Sequence, residues 1–302
     1  VQIANVSNIS VFAHCFYLNG APLDPTMPPS ASNPRVWLAV DFFVELTPQQ
    51  PVFWLVSTGR MMPPGGGDVP PAVQPFTGEL RCIQSDASLA PIGGNALTGN
   101  ATLLGPGPEV AEYDAIALRA LNVSSGTTLN LDGVEYEACT ETLHAVHRAD
   151  GPSIIGAQGI ITSRNLLTVI PCTVDYNSEI PIRSLFSAVQ HDEFELALST
   201  IQVLDYWNEY DLGAIFPSGL TGGFRYTSTV SPTMTCIDGL TDAGQTCSTD
   251  AQCPSGVCRA VPVLAILEKQ TTRPGVPTTL SDEDVQGAGS LPTAFIQMPV
   301  GP

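Results

Sequence analysis

Between Cys236 and Cys258 the chain places four of its eight cysteines on a stretch with almost nothing apolar to bury: Cys236-Ile-Asp-Gly, then Cys247-Ser-Thr-Asp-Ala-Gln-Cys253-Pro-Ser-Gly-Val-Cys258. Such a segment holds a shape through covalent cross-links, not through a core. With Cys15, Cys82, Cys139 and Cys172 the count is even, which reads as four disulfides. Eight cysteines allow about a hundred pairings, and the preferred one keeps the last four among themselves. No C-x-x-C pair and no C-x-x-C-H is present, so zinc, redox and haem readings fall below structural cross-links.

Disulfides point to an oxidising compartment. The chain opens at Val1 with no basic, apolar leader, and the expectation is a protein exported by a removed signal peptide to the cell surface or beyond. No run of about 18 apolar residues exists to insert in a bilayer. The net charge of −18, from 29 acidic and 11 basic residues, repels a phosphate backbone and an anionic membrane, so neither nucleic acid nor membrane is an expected partner.

Only 13% of residues are charged, and 27 Gly and 27 Pro supply many corners. Short strands with long loops follow. The expected fold is mainly β: one or two antiparallel sandwiches, Ig-like or jelly-roll-like, with an extended tail. Four segments are expected: a sandwich over 1–178, a second β unit over 179–235 that joins or extends it, the cross-linked insertion 236–258, and a Pro-rich tail 259–302.

Residues 9–18 read as a strand buried on both faces, and 36–46 as the clearest alternation in the chain, turned by Thr47-Pro-Gln-Gln-Pro51 into a hairpin partner over 52–58. Segments 78–84 and 95–104 read as another strand pair, and 62–76 as an exposed loop. Residues 108–121 suit helix or strand and are read as strand. Further strands are expected over 166–176, 182–190 and 194–203, with a β-bulge at Ser199-Thr200, then over 205–216 and 224–235.

The order of His14-Cys-Phe-Tyr17, Leu167-Thr-Val-Ile-Pro-Cys172 and Phe186 through His191-Asp-Glu-Phe194 to Ser199-Thr200 resembles a family of uncharacterised secreted bacterial proteins. The segment 246–258 is similar to short cysteine-rich insertions in bacterial surface proteins. The resemblance implies secretion and a β-rich fold, and it carries over no active-site residue.

Nucleophile elbows, H-E-x-x-H and Gly-rich phosphate loops are absent, and the chain is read as not an enzyme. Candidate sites remain. His144 and His147 share a face, and so could hold a metal, only if 140–148 is helical; His14, among aromatics, reads as a packed core residue. Asp205, Asn208, Glu209 and Asp211 offer oxygen ligands for calcium within seven residues, the one cofactor considered. Glu193 and Glu209 are the carboxylate pair a glycosidase would need, and Tyr206, Trp207 and Tyr210 would make a sugar-stacking platform. Asn5, Asn8, Asn100 and Asn122 begin Asn-x-Ser/Thr sequons.

The leading expectation is a secreted structural protein that polymerises with copies of itself into a filament, tube or sheath. Strand addition by the tail drives it, through Val261, Val263, Ala265 and Leu267 and through Phe295, Ile296 and Met298. A monomeric adhesin or a glycan- or calcium-binding module is the competing reading, with a secreted hydrolase behind both.

Overall fold

The computed structural model describes the chain except residues 31, 62–66, 105–109, 123–125, 155–158, 179–181, 217–224, 238–244, 255 and 300–302. In order, the elements are β1 (Gln2–Asn5), β2 (Val11–Asn19), β3 (Leu38–Leu46), β4 (Pro51–Phe53), β5 (Gly78–Ser85), β6 (Leu97–Leu104) and β7 (Val110–Asp114). There follow β8 (Thr128–Leu131), β9 (Thr142–Arg148), β10 (Gly151–Ile154), β11 (Ile160–Pro171), β12 (Val174–Asp175), β13 (Arg183–Asp192), β14 (Ala197–Asp205), β15 (Asn208–Asp211) and a single helical turn, α1 (Leu212–Ile215). The chain ends in β16 (Arg225–Ile237), β17 (Val257–Ala260), β18 (Val263–Arg273), β19 (Val276–Asp284), β20 (Gln286–Ala288) and β21 (Ala294–Gln297).

The fold is mainly β and, apart from the parallel pair β12–β21, its strand pairings are antiparallel. It is not the expected sandwich. Five sheets form a propeller-like array: β3-β2-β5, β4-β1-β6-β7, β12-β21-β8, β10-β11-β18-β19 with β15 also on β11, and β14-β13-β16-β9-β20 with β17 on β16. Sequence neighbours are often separated between sheets, so these are not repeated meanders.

Three cores join the sheets. The period of two turns Val11, Ala13, Cys15 and Tyr17 of β2 toward Ile3, Val44, Leu46, Val52 and Trp54, where the Trp54 indole donates to the Tyr17 hydroxyl at 2.6 Å. The opposite face of β2, Phe16 and Leu18, meets Leu129, Leu131, Val174, Tyr176, Ile296 and Met298. Burial of residues 9–18 on both faces is thus as the sequence implies. A third core, with Leu167, Val169, Phe186, Ala188, Leu204, Val230, Val263 and Leu267, lies between the β11 and β13 sheets.

Several local expectations are corrected. β4 pairs with β1 and not with β3, because the chain crosses to the facing layer, where Val52 and Trp54 close the first core. β5 pairs with β2, and β6 with β1 and β7, so these two do not pair with each other. Of the described part of 108–121, residues 110–121, only Val110–Asp114 is strand. The register of β13 on β14 runs unbroken from Arg183↔Asp205 to His191↔Ala197, with no bulge at Ser199. The shift in apolar phase there arises because Phe194 and Leu196 belong to the preceding turn.

The tail is not extended. β18 lies inside its sheet between β11 and β19, in register from Thr162↔Thr272 to Pro171↔Val263. β20 pairs with β9, and β21 fills the gap between β12 and β8. The boundary drawn at 178/179 is crossed as well: β16 pairs with β9, and β15 with β11.

Candidate assembly surface

β13 alternates buried Phe186, Ala188 and Gln190 with outward Ser187, Val189 and His191. Its register neighbours on that outer side form rows across the sheet. Val203, Leu185 and Thr233 make one row; Ile201, Ser187 and Ser231 a second; Ser199, Val189, Thr229 and His144 a third; Ala197, His191, Thr227 and Val146 a fourth. None of these side chains is a carboxylate, ammonium or guanidinium. Ile201 is 59% exposed, Val203 49% and Val146 47%.

Among the described residues β14 is the edge of this sheet. Nine residues long, it carries no Pro, no Lys and no bulge, the devices that normally blunt an exposed edge. The turn leading into it is built by the buried Asp192, whose Oδ1 accepts from the amides of Phe194 (2.8 Å) and Leu196 (2.9 Å), with Glu195 left-handed at φ 64°. That geometry leaves Phe194 and Leu196 exposed beside the edge. At the other end the Val203 carbonyl accepts from Asn208 Nδ2 at 2.9 Å and from the Tyr210 hydroxyl.

The tail residues expected to add to another copy are consumed within this chain. Val261, Val263, Ala265 and Leu267 are buried, as are Ile296 and Met298, while Phe295 is half-buried on β21. The alternation marks β18 and β21 as strands; their partners, β11 for the first and β12 and β8 for the second, are remote in sequence and so invisible to local pattern.

The calcium ligands do not converge. Glu209 and Asp211 point to one face of β15 and Asn208 to the other. Asp205 is held by Arg183 at 2.6 Å, Asp211 by Arg164 at 2.7 Å, and Asn208 accepts from Arg35 at 2.7 Å. Burial and the neighbouring Glu268 raise the pKa of Glu209. Glu193 lies in the β13–β14 turn, while Glu209 is on β15 of the β11 sheet, so the two are not presented as a catalytic pair. Tyr206 and Trp207 are buried and Tyr210 packs edge-on against Phe186, so no sugar platform forms.

His144 and His147 lie on the strand β9 and face opposite sides. His144 bonds Thr229 at 3.0 Å. His147 is buried between the Ser228 hydroxyl and the Arg148 carbonyl, both at 2.8 Å, and desolvation pushes its pKa down to about 4. His14 is a packed residue, 4.4 Å from the Phe16 ring and 3.3 Å from Asp41. Asn5 is buried and donates to the carbonyls of Ile9, Leu46 and Thr47, which removes it as a glycan acceptor; Asn8 and Asn122 are exposed.

The four disulfides are Cys15–Cys82, Cys139–Cys172, Cys236–Cys253 and Cys247–Cys258. The last four cysteines therefore close among themselves, and the three sulfurs of Cys236, Cys247 and Cys253 that cluster at metal-like spacing are all in these bonds. Polar side chains complete the insertion: Gln252 Oε1 accepts from the Ser248 amide at 2.6 Å, and Asp250 Oδ1 from the Cys258 amide at 2.8 Å. Four disulfides fit an oxidising environment, and no helix among the described residues is long and apolar enough to cross a membrane.

No family model, curated protein or solved structure matches this chain.

Proposed function

We propose that the protein is an extracellular structural component that associates with copies of itself through the β13 sheet. The observation that carries this reading is the middle of the outer face of that sheet, four partly apolar rows with no charged side chain between the Arg183–Asp205 pair at one end and Arg148 at the other, on a chain of net charge −18. Acidic molecules repel one another over most of their surface, and a neutral face lets two copies approach without that cost. Light scattering coupled to size exclusion, with negative-stain imaging, tests it. Defined oligomers or fibres are expected, and a monodisperse monomer at the highest attainable concentration would remove the reading.

A second reading, saccharide binding, is favoured by a groove on the solvent side of the β1 sheet. The exposed Phe53 ring, stacked under Arg60 at 5.2 Å, sits there near Gln2, Asn100 and Glu112. An aromatic face beside amide and carboxylate groups suits a sugar's C–H face and hydroxyls. A glycan array compared with Phe53→Ala tests it: binding by the parent and loss in the variant supports the groove.

A further inference from the structure

We infer that the side chains of Lys269 and Asn165 join as an amide, an intramolecular cross-link that fastens β18 to β11, with Asp150 as the acid that lets the bond form. The inference is independent of self-association and of the saccharide groove.

Lys269 is the only lysine of the chain, against ten arginines. The two are not interchangeable: a guanidinium keeps its proton, whereas an amine shielded from water sheds it and becomes a nucleophile. Lys269 stands directly opposite Asn165 in the antiparallel register of β18 on β11. The next pair on the same face is Leu167 with Leu267, both in the third core, so the two side chains leave their strands toward the interior. Asn165 is 2% exposed and Lys269 half-buried. Side chains opposed in this way have Cβ atoms about 5 Å apart, a gap that a lysine stem bridges. His147 faces the same interior from β9, kept neutral by desolvation and, to a lesser degree, by the charge of Lys269.

The carboxamide is already held as the reaction requires. Asn165 Nδ2 donates to Asp150 Oδ1 at 3.0 Å and to the Arg148 carbonyl at 2.9 Å, and the Asn165 backbone amide donates to the same Asp150 oxygen at 2.8 Å. These bonds set the nitrogen that must leave against the acid. Burial holds the Asp150 carboxyl up to about 6, so near neutral pH a share of it carries its proton. Ser163 lies one row along on the same face, and its buried hydroxyl has no hydrogen-bond partner among the described residues. It is a spare donor beside the charge that builds on Asn165 Oδ1.

The step balances. The neutral Lys269 amine adds to Asn165 Cγ, Asp150 passes its proton to Nδ2, the Cγ–Nδ2 bond breaks, and the new amide nitrogen returns a proton to the Asp150 carboxylate. One ammonia leaves, and no oxidant, reductant or cofactor is consumed.

The test is the intact mass of the whole protein after its disulfides are reduced, with peptide mapping. The parent is expected to be lighter than its sequence by one ammonia, about 17 Da. Trypsin is expected to leave the chain uncut after Lys269 and to yield a branched product joining the peptide that begins at Asn165 to the one that begins at Ala260. Lys269→Arg, which keeps a cation, and Asp150→Asn are each expected to show the full mass while keeping the circular dichroism spectrum of the parent. A parent of full mass overturns the inference. A mass loss that persists in Lys269→Arg overturns it too, since an asparagine can also lose ammonia to its own backbone. Full cross-linking in Asp150→Asn overturns the role given to the acid.

Discussion

His147 is held neutral on the inner side of β9, the side that gives Leu143 and Ala145 to the third core, and its lowered pKa makes it an acid sensor for stability. The unfolded chain binds a proton near pH 6.5, the folded one only near 4, so stability is full above pH 6.5 and falls as the pH drops toward 4, by about 3 kcal/mol. Asp150 opposes it. Burial raises that carboxyl to about 6, so the folded state takes up its proton first and gains stability as the pH falls from about 6 toward 3.8. Urea melts between pH 7.5 and 4 should therefore show a shallow loss in the parent, a steeper one in Asp150→Asn, and a gain in His147→Gln, where only the Asp150 contribution is left. At Glu209 the like charge of Glu268 helps to raise the pKa. Glu268→Gln should lower that carboxyl's titration midpoint, read by NMR, and raise stability slightly at pH 7.

Strand β18 decides how the tail behaves when cut. Chains ending at Ala260 lose the interior strand of the β11 sheet and the β21 filler of the second core, and are expected to be unfolded by near-UV circular dichroism and proton NMR dispersion. Leu267→Ala, at a fully buried site, should cost about 2 to 5 kcal/mol in urea melts. The alternation of Val263, Ala265 and Leu267 and of Val11 to Tyr17 was legible in the sequence, because a buried face imposes its period locally. Partner choice was not: the pairing of β18 with β11, of β4 with β1 and of β5 with β2 depends on residues far apart in the chain. The edge site was hidden for a related reason. Ile201 and Val203 carry the apolar face of their segment, and only the stacking of the sheets turns that face outward to solvent. The calcium candidates Asn208, Glu209 and Asp211 are divided between the two faces of β15, and the sugar platform is lost because Tyr206 and Trp207 are buried in the core.

Across the whole molecule, the early and late parts are fastened by buried polar contacts. Arg81 on β5, paired with Glu79 at 3.0 Å, donates to the carbonyls of Cys172 (2.7 Å) and Pro171 (2.5 Å) at the end of β11. Arg35 reaches Asn208 and the Gly20 carbonyl and lies 5.1 Å over Trp207, and a Cβ on Gly20 would come within 2.9 Å of that tryptophan. Arg81→Met strands the Glu79 carboxylate and should cost about 3 to 5 kcal/mol, measured as a single cooperative loss by calorimetry. The cross-linked insertion is different, for among the described residues its small core is made of cysteines alone. Replacing Cys247 and Cys258 by Ala should speed amide exchange over 245–258 with little change in the melting temperature. The interior placement of β18 and β21 also sets a timetable. The β11 sheet lacks its interior strand until residue 273 has been synthesised, and the β12–β8 sheet its middle strand until residue 297, so the fold closes late and a polypeptide stalled before those points carries two gapped sheets.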